Sequence, residues 1–392
     1  MRILVDGGTW TNRRGYGRFT RELISAAATI PSAHELALVL DDSVPTDDVP
    51  SGIDIERVHL GALPTDAASA GGHRSLRDLW TMSRALSRSR ADCVFFPSVY
   101  TYVPLFTHAP VIICVHDVIP ERLPSQVFPT RRSRMFWTLK TRTALHQATR
   151  IVTVSEHARR GIASHFGIEP QAIGVISEAP SGIFSPAADP SPGHDLLRTL
   201  GLSAEERLLL YVGGLAPHKN LAALLHAMVS LRSKSGSLAA TLLIVGDYTH
   251  DAFRSAYPTL RAQVERERLA WVRFTGALPD RTVAALMRLA DALVLPSFEE
   301  GFGLPGVEAA ACGAVVVATR HSALPDVLGD TALYFDPHAP DELERALEAV
   351  LTDPSLRATL GARASVKASA LTWTTAARRL LDTFEELAGS NL

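Results

Sequence analysis

The chain has little that would mark it for an oxidising compartment, a bilayer or a nucleic acid. Its 392 residues include only three cysteines, Cys93, Cys114 and Cys312. All sit among apolar or small neighbours and none forms a C-x2-C pair. They read as reduced core thiols of a cytosolic protein, with no disulfide framework. The longest uncharged apolar stretch, Ala309 to Thr319, is too short to cross a bilayer. At the N-terminus MRILVDGG meets Asp6 after a few apolar residues, which reads as a first strand and not a secretory leader. A formal net charge of −2 gives no global attraction for nucleic acid. No D-x-D pattern stands at a strand end, so the sequence requires no metal, and no cofactor is expected. No internal repeat is visible.

What is present describes a soluble globular protein, 46% hydrophobic with 20% charged residues, too long for one ordinary core. Apolar β-type runs alternate with amphipathic segments in both halves, which predicts doubly wound parallel sheets. The first half offers strands at Arg2 to Val5, Glu35 to Leu40, Asp92 to Phe96, Val111 to Val115, Ile151 to Val154 and Ile173 to Ile176. The second offers Leu208 to Val212, Thr241 to Val245, Val272 to Phe274, Ala292 to Leu295 and Val315 to Ala318. Between them EAPSGIFSPAADPSPGH is rich in Pro, Gly and Ser, as linkers are. The expected division is a domain over 1–180, a linker over 181–195, a second domain over 196–370 and a last helix within 371–392. GGHRSLRDLW, residues 71–80, reads as a mobile loop entering a helix.

The most informative segment is VLPSFEEGFGLPGVEAAACGAVVV, residues 294–317. A strand stops at Pro296, and a loop with Glu299, Glu300, Gly301 and Gly303 follows. Pro305 opens a helix with Glu308 in its first turn, and Gly313 closes it before the next strand. Ligands of parallel sheets bind at the carboxyl ends of strands in such units. The free N–H groups of a helix start favour an anion, and glycines let the backbone approach it. Pro305 suits the first helical position, where its missing N–H costs nothing. The carboxylates of Glu300 and Glu308 are poor phosphate ligands but good acceptors from hydroxyls. A sugar nucleotide reconciles the two, with phosphates on the N–H groups and ribose and hexose hydroxyls on the acids.

Three further constellations stand at expected strand ends. In YVGGLAPHKNLAALLHAM, residues 211–228, Lys219 precedes a helix started by Asn220, where a lysine is a point charge for a diphosphate or simply a solvated cation. In VIICVHDVIP an apolar strand delivers His116 and Asp117 at its carboxyl end, where catalytic groups of open sheets gather. Asp117 is expected to fix the loop or the imidazole tautomer. In DGGTWTNRRGYGRFTRELISAA, Gly15 and Gly17 precede Arg18 and an amphipathic helix, without the spacing of a dinucleotide fingerprint. Residues 131–160 are basic, with Arg131, Arg132, Arg134, Lys140, Arg142, Arg150, Arg159 and Arg160 against Glu156. Met135, Phe136, Trp137 and Leu139 interleave with them, and the expectation is a helix that buries its aromatics and solvates its charges. The alternative is a weak peripheral contact with anionic lipid or an anionic acceptor.

PSFEEGFGLPGVEAAACG closely resembles the E-x7-E signature of the retaining GT-B glycosyltransferases, in particular glycosyltransferase family 4. The resemblance spans nearly the whole chain and is more specific in the second half. It implies an α/β GT-B architecture: two Rossmann-like domains with parallel sheets facing across a cleft, and a C-terminal helix crossing back to the first domain. It implies hexosyl transfer from a UDP- or GDP-sugar to an acceptor hydroxyl of unknown identity, with retention, no metal and no nucleic acid. His116, Lys219 and Glu300 take the catalytic places. Lys219 serves the diphosphate, Glu300 the sugar hydroxyls and His116 the donor sugar. Gly15, Gly17, Gly214, Leu278, Phe302, Gly303, Leu304 and Glu308 take the donor-binding places, Glu308 on the ribose. Many relatives have Arg where this chain has Gly214, so part of the cationic clamp is missing or supplied elsewhere. A UDP-GlcNAc 2-epimerase-like enzyme and a non-catalytic sugar-nucleotide-binding protein share the fold and remain alternatives. A cytoplasmic location follows, with the 131–160 region available to a membrane face.

Overall fold

The computed structural model describes residues 1–12, 14–61, 75–88, 90–203, 205–234, 239–248 and 254–389. The chain divides into two compact units, Met1–Glu178 with Thr372–Leu392, and Ala179–Leu371.

Among the described residues the first unit holds a seven-stranded sheet of order β3-β2-β1-β4-β5-β6-β7. The strands are β1 Arg2–Asp6, β2 Glu35–Asp41, β3 Asp54–Val58, β4 Cys93–Phe96, β5 Val111–Cys114, β6 Arg150–Thr153 and β7 Ile173–Val175. Every pairing is parallel. The central strands read as continuous apolar runs because helices cover both faces of such a sheet. β4 and β5 are buried at every residue. β3 was not legible in the sequence. Its DIERV is charged because it lies at the sheet edge, where Arg2 of β1 reaches Asp54 and Glu56 at 3.2 Å each.

The Gly15–Thr29 helix follows β1 and buries Phe19, Leu23 and Ile24. The last helix, Trp373–Gly389, packs in the same unit. Its Trp373 ring lies 6.1 Å from Phe19, and its Phe384 ring 6.2 Å from Phe95. Residues 71–74 of the GGHRSLRDLW segment lie outside the described residues, and the helix it enters runs Leu76–Arg88.

The second unit has a six-stranded parallel sheet among its described residues, of order β10-β9-β8-β11-β12-β13. Its strands are β8 Arg207–Val212, β9 Ala240–Val245, β10 Val272–Gly276, β11 Ala292–Leu295, β12 Val316–Thr319 and β13 Leu333–Phe335. β13, three residues at the edge, was the other strand missed. Residues 191–195 are already helical, within Ser191–Thr199. A Cβ on Gly193 would lie 2.9 Å from Leu289 Cδ1, so the helix Asp280–Leu289 closes tightly over that glycine.

Strand order reverses between β1 and β4 in one sheet and between β8 and β11 in the other. The crevice outside the carboxyl ends of the strands at such a switch point is where open α/β sheets take ligands. No described helix is long and apolar enough to cross a membrane.

Candidate functional site

In the second unit β8 and β11 are neighbours, so the loops leaving their carboxyl ends lie side by side. The first loop makes a tight turn at Pro217–Lys219, then passes through Asn220 in a left-handed conformation, φ 55°, before the helix Leu221–Lys234. Asparagine tolerates that conformation because its short polar side chain can bond locally. Asn220 is therefore the pivot before the helix, not its first residue. The second loop runs from Pro296 to Gly303 and opens the helix Leu304–Ala311.

The two loops meet through an ion pair. Lys219 Nζ donates to both oxygens of Glu300, at 2.7 and 2.9 Å. Ser297 Oγ donates to Glu300 Oε1 at 2.5 Å, and the backbone N–H of Glu300 is tied to His321 O at 3.0 Å. Lys219 and Glu300 keep 20% and 13% of their side-chain surface exposed, so the pair is desolvated yet reachable. Beneath it His218 is buried, and its carbonyl accepts from Phe298 N at 2.9 Å. Burial, followed by the neighbouring Lys219 charge, pushes the His218 imidazole down to about 3. It is therefore neutral, and Lys219 is the cation of this loop.

Gly303 ends the second loop with φ 85°, and a Cβ there would lie 3.0 Å from Leu324 Cγ. Only glycine satisfies both constraints. The helix begins at Leu304 with Pro305 second, one residue earlier than the sequence suggested. Glu308 therefore lies a turn inside it, buried at 3% exposure, and not in its first turn. Phe302 and Leu304 are buried. Among the described residues the N–H groups of Phe302, Gly303 and Leu304 have no acceptor. With the helix dipole behind them they form a cradle for an anion. Gly214 is half-buried, its carbonyl accepting from the Tyr211 hydroxyl at 2.6 Å. Leu278 lies half-buried in the loop after β10, at the far edge strand.

In the first unit His116 follows β5 at the carboxyl edge. It is 6% exposed. Its Nε2 is 2.9 Å from the Pro97 carbonyl at the end of β4, and its Nδ1 is 3.5 Å from Glu178 Oε1. The rings of Tyr16 and Phe19 meet it edge-on at 5.5 and 4.8 Å. Burial disfavours the imidazolium, but Cys114 and Glu178 raise its proton affinity well above the usual histidine range. Asp117 Oδ1 accepts from Ile119 N at 2.9 Å and so fixes the loop, while the carboxylate on the imidazole is Glu178. That partner, 62 residues downstream, had no signal in the sequence around the histidine. Gly15 and Gly17 lie within the first turn of their helix, not before it. A Cβ on Gly17 would come within 1.9 Å of Asn12 O, whereas Gly15 faces open space.

The helix over 131–147 corrects an expectation. Trp137 is buried as foreseen, but Met135, Phe136 and Leu139 are 61%, 52% and 64% exposed. Trp137, Thr141 and Ala144 share the inward stripe, and the other three lie on the opposite one. Among the described residues no group of three His, Cys, Asp or Glu side chains converges as metal ligands would.

Comparison with known proteins covers both units. The glycosyltransferase family 4 model matches residues 13–179, and the glycosyl transferases group 1 model matches residues 195–367. A D-inositol 3-phosphate glycosyltransferase of Corynebacterium kroppenstedtii is 30% identical over 244 residues, covering 61% of this chain and 53% of that protein. The O-antigen chain mannosyltransferase B of Escherichia coli is 31% identical over 246 residues, covering 62% of each. The chain thus spans between about half and three fifths of these curated relatives. Among solved structures, sucrose-phosphate synthase from Thermosynechococcus elongatus superposes with a TM-score of 0.75 at 18% identity, over the whole of both chains. Anabaena Alr3699/HepE in complex with UDP-glucose superposes with a TM-score of 0.71 at 18% identity, over 98% of this chain and 100% of that one. These likenesses show the GT-B fold of two Rossmann-like domains. The chain belongs to glycosyltransferase family 4, with the group 1 glycosyl transferase module as its second half.

Proposed function

We propose that this protein is a retaining hexosyltransferase that moves a hexosyl group from a UDP- or GDP-sugar to an acceptor hydroxyl, in glycoconjugate, polysaccharide or glycosylated natural-product synthesis. The observation that carries the reading is the convergence of Lys219, Glu300 and the acceptor-less N–H groups of Phe302, Gly303 and Leu304 at one sheet edge. A structural neighbour of this chain, Anabaena Alr3699/HepE, is a complex with UDP-glucose, and the curated relatives named above are glycosyltransferases, which supports a nucleotide-sugar donor.

Breaking the anomeric C–O bond places negative charge on the departing diphosphate. Lys219 and the helix-start N–H groups stabilise that charge as it develops. Once Lys219 serves the diphosphate, Glu300 keeps Ser297 and accepts from the sugar hydroxyls. Glu308 accepts from the ribose, Leu278 flanks the base, Gly214 and Gly15 leave room for close backbone approach, and Gly17 lets the Asn12 carbonyl close on the helix start. In this reading His116 serves the donor sugar, its imidazole held by the Pro97 carbonyl and Glu178. Neither Glu300 nor Glu308 acts as a nucleophile. The acceptor oxygen forms its bond to the anomeric carbon on the face the diphosphate leaves, and its proton passes to the leaving phosphate oxygen. No step needs a metal or another cofactor.

The protein is placed in the cytoplasm by this reading. Its exposed Met135, Phe136 and Leu139 ridge, beside Arg131 and Arg132, is suited to a peripheral contact with anionic lipid. Sedimentation with phosphatidylglycerol vesicles tests this, and Phe136→Ser with Leu139→Ser should abolish it. For the main reading, a panel of NDP-sugars is screened by thermal shift, since a ligand bound only by the folded state raises the melting temperature. The stabilising donor is then supplied with acceptor extracts, and the anomeric configuration of the product is read by NMR. Inverted product would end the retaining reading. Acceptor-independent conversion of the donor to an isomer would make the protein an epimerase, and binding without turnover a sensor.

A further inference from the structure

One flank of the Arg131–Gln147 helix runs from the inward residues Trp137 and Thr141 out to Arg134, Arg142 and His146, clear of the exposed ridge. Arg134, Trp137, Thr138, Thr141, Arg142 and His146 recur at three- and four-residue intervals, so they share one face. That face walls a cavity of about 680 Å3 in the first unit. Glu121 and Phe128 also line it, as do His165 and Phe166 at the end of the Glu156–Phe166 helix. The end of a helix that follows a strand lies toward the strands' amino ends. The cavity therefore runs down the flank of the sheet from the segment after β5 that holds Glu121.

Its lining is polar in a one-sided way. Among the described residues Arg134 and Arg142 have no carboxylate partner. Burial, then the charges of Arg122 and Arg142, holds His165 below the usual histidine range, as expected where positive charge is uncompensated. Thr141 is 2% exposed, and its Oγ1 is buried without a hydrogen-bond partner. Glu121 Oε2 is likewise buried and unpartnered, while its Oε1 accepts from Trp137 Nε1 at 2.6 Å. Buried polar atoms normally have partners, and two orphans in one cavity point to a ligand that supplies them. Burial pushes the Glu121 carboxyl up to about 7, so its protonated form is available as a donor to a ligand oxygen.

We propose that this cavity binds a phosphate-bearing small molecule with a planar apolar part, its oxyanion held by Arg134 and Arg142 and its apolar part set against Trp137 and Phe166. A phosphate offers several oxygens, enough for two guanidinium forks, the Thr141 hydroxyl and the Glu121 carboxyl together. The cavity lies in the first unit, and the proposal does not depend on the hexosyltransferase reading.

Phenyl phosphate is the probe, titrated calorimetrically into the full chain saturated with UDP. It should bind once per chain and more tightly than inorganic phosphate, and phenol should not bind. Arg142→Gln and Arg134→Gln should each weaken it about tenfold or more, with Arg142→Lys retaining part of the affinity. Both arginines are exposed, and unchanged melting temperatures establish that the variants fold. The His165 imidazole, followed by NMR, should titrate higher with phenyl phosphate bound, and not in Arg142→Gln. Phosphatidic acid vesicles distinguish the source: sedimentation competed by phenyl phosphate assigns a lipid headgroup, and uncompeted or absent sedimentation a free phosphate. No saturable binding, binding indifferent to both glutamine substitutions, or full displacement by UDP would each overturn the proposal.

Discussion

Lys219→Ala is the sharpest perturbation, because the lysine has both a structural and a proposed chemical role, and the two separate. The ion pair is held by two short bonds, 2.7 and 2.9 Å, on a carboxylate only 13% exposed. Removing the amine leaves Glu300 charged, mostly desolvated and supported by Ser297. A charged hydrogen bond in such a place is worth roughly 1.5–3 kcal/mol. For a unit of this size that lowers the melting temperature by about 3–12 °C. The chemical loss is of similar size. One missing donor at the leaving group lowers kcat/KM by about 10²-fold, or about 2.7 kcal/mol of transition-state stabilisation. Transfer is followed by nucleotide release with saturating acceptor, and donor affinity by calorimetry. Glu300→Ala in the same background removes the stranded carboxylate, so the double variant should recover stability and not activity. If the double variant recovers transfer, Lys219 serves only to neutralise Glu300. Near-normal turnover by Lys219→Ala alone refutes the diphosphate role outright.

Glu308→Ala should raise donor KM more than it lowers kcat, because ribose contacts bind ground and transition states alike, and Glu300→Ala should do the reverse. The opposite split in steady-state kinetics means that the ribose and hexose roles are exchanged. His116→Ala should leave nucleotide affinity within about twofold by calorimetry while cutting transfer by about 10²-fold, the scale of a positioned catalytic group. Unchanged transfer would reduce His116 to a packing residue between Tyr16, Phe19 and Glu178. Glu121 is held up at about 7, against 4.5 when unperturbed, chiefly by burial. The folded state then binds the proton more tightly than the unfolded one. Stability from this group is complete below about pH 4.5 and lost as pH rises through about 7, by at most about 3 kcal/mol. Glu121→Gln keeps an acceptor for Trp137 and should raise the melting temperature at pH 8 and not at pH 5. An equal shift at both pH values would contradict the burial argument.

Much of this protein is written locally. Fully buried parallel strands must be apolar end to end, so VFF, VIIC and ALVL announce themselves without context. The turn before the Leu304–Ala311 helix is legible for a similar reason: a left-handed residue pressed against Leu324 admits only glycine, and the following proline tolerates a helix start. The edge strands β3 and β13 were not legible. One exposed side removes the demand for apolar residues, and three residues are too few for a period to show. What the sequence could not hold is adjacency. Lys219 and Glu300 are 81 positions apart, and they touch because β8 pairs with β11 and not with β10. Glu178 reaches His116 only because the chain, after β7, passes the carboxyl edge where β5 ends. The burial of Glu308 and the exposure of Phe136 were decided the same way, by which face of a helix its neighbours happen to cover. Local composition determines which elements form and where they turn. Strand order, a property of the whole sheet, decides which turns share an edge, and with it which charges meet.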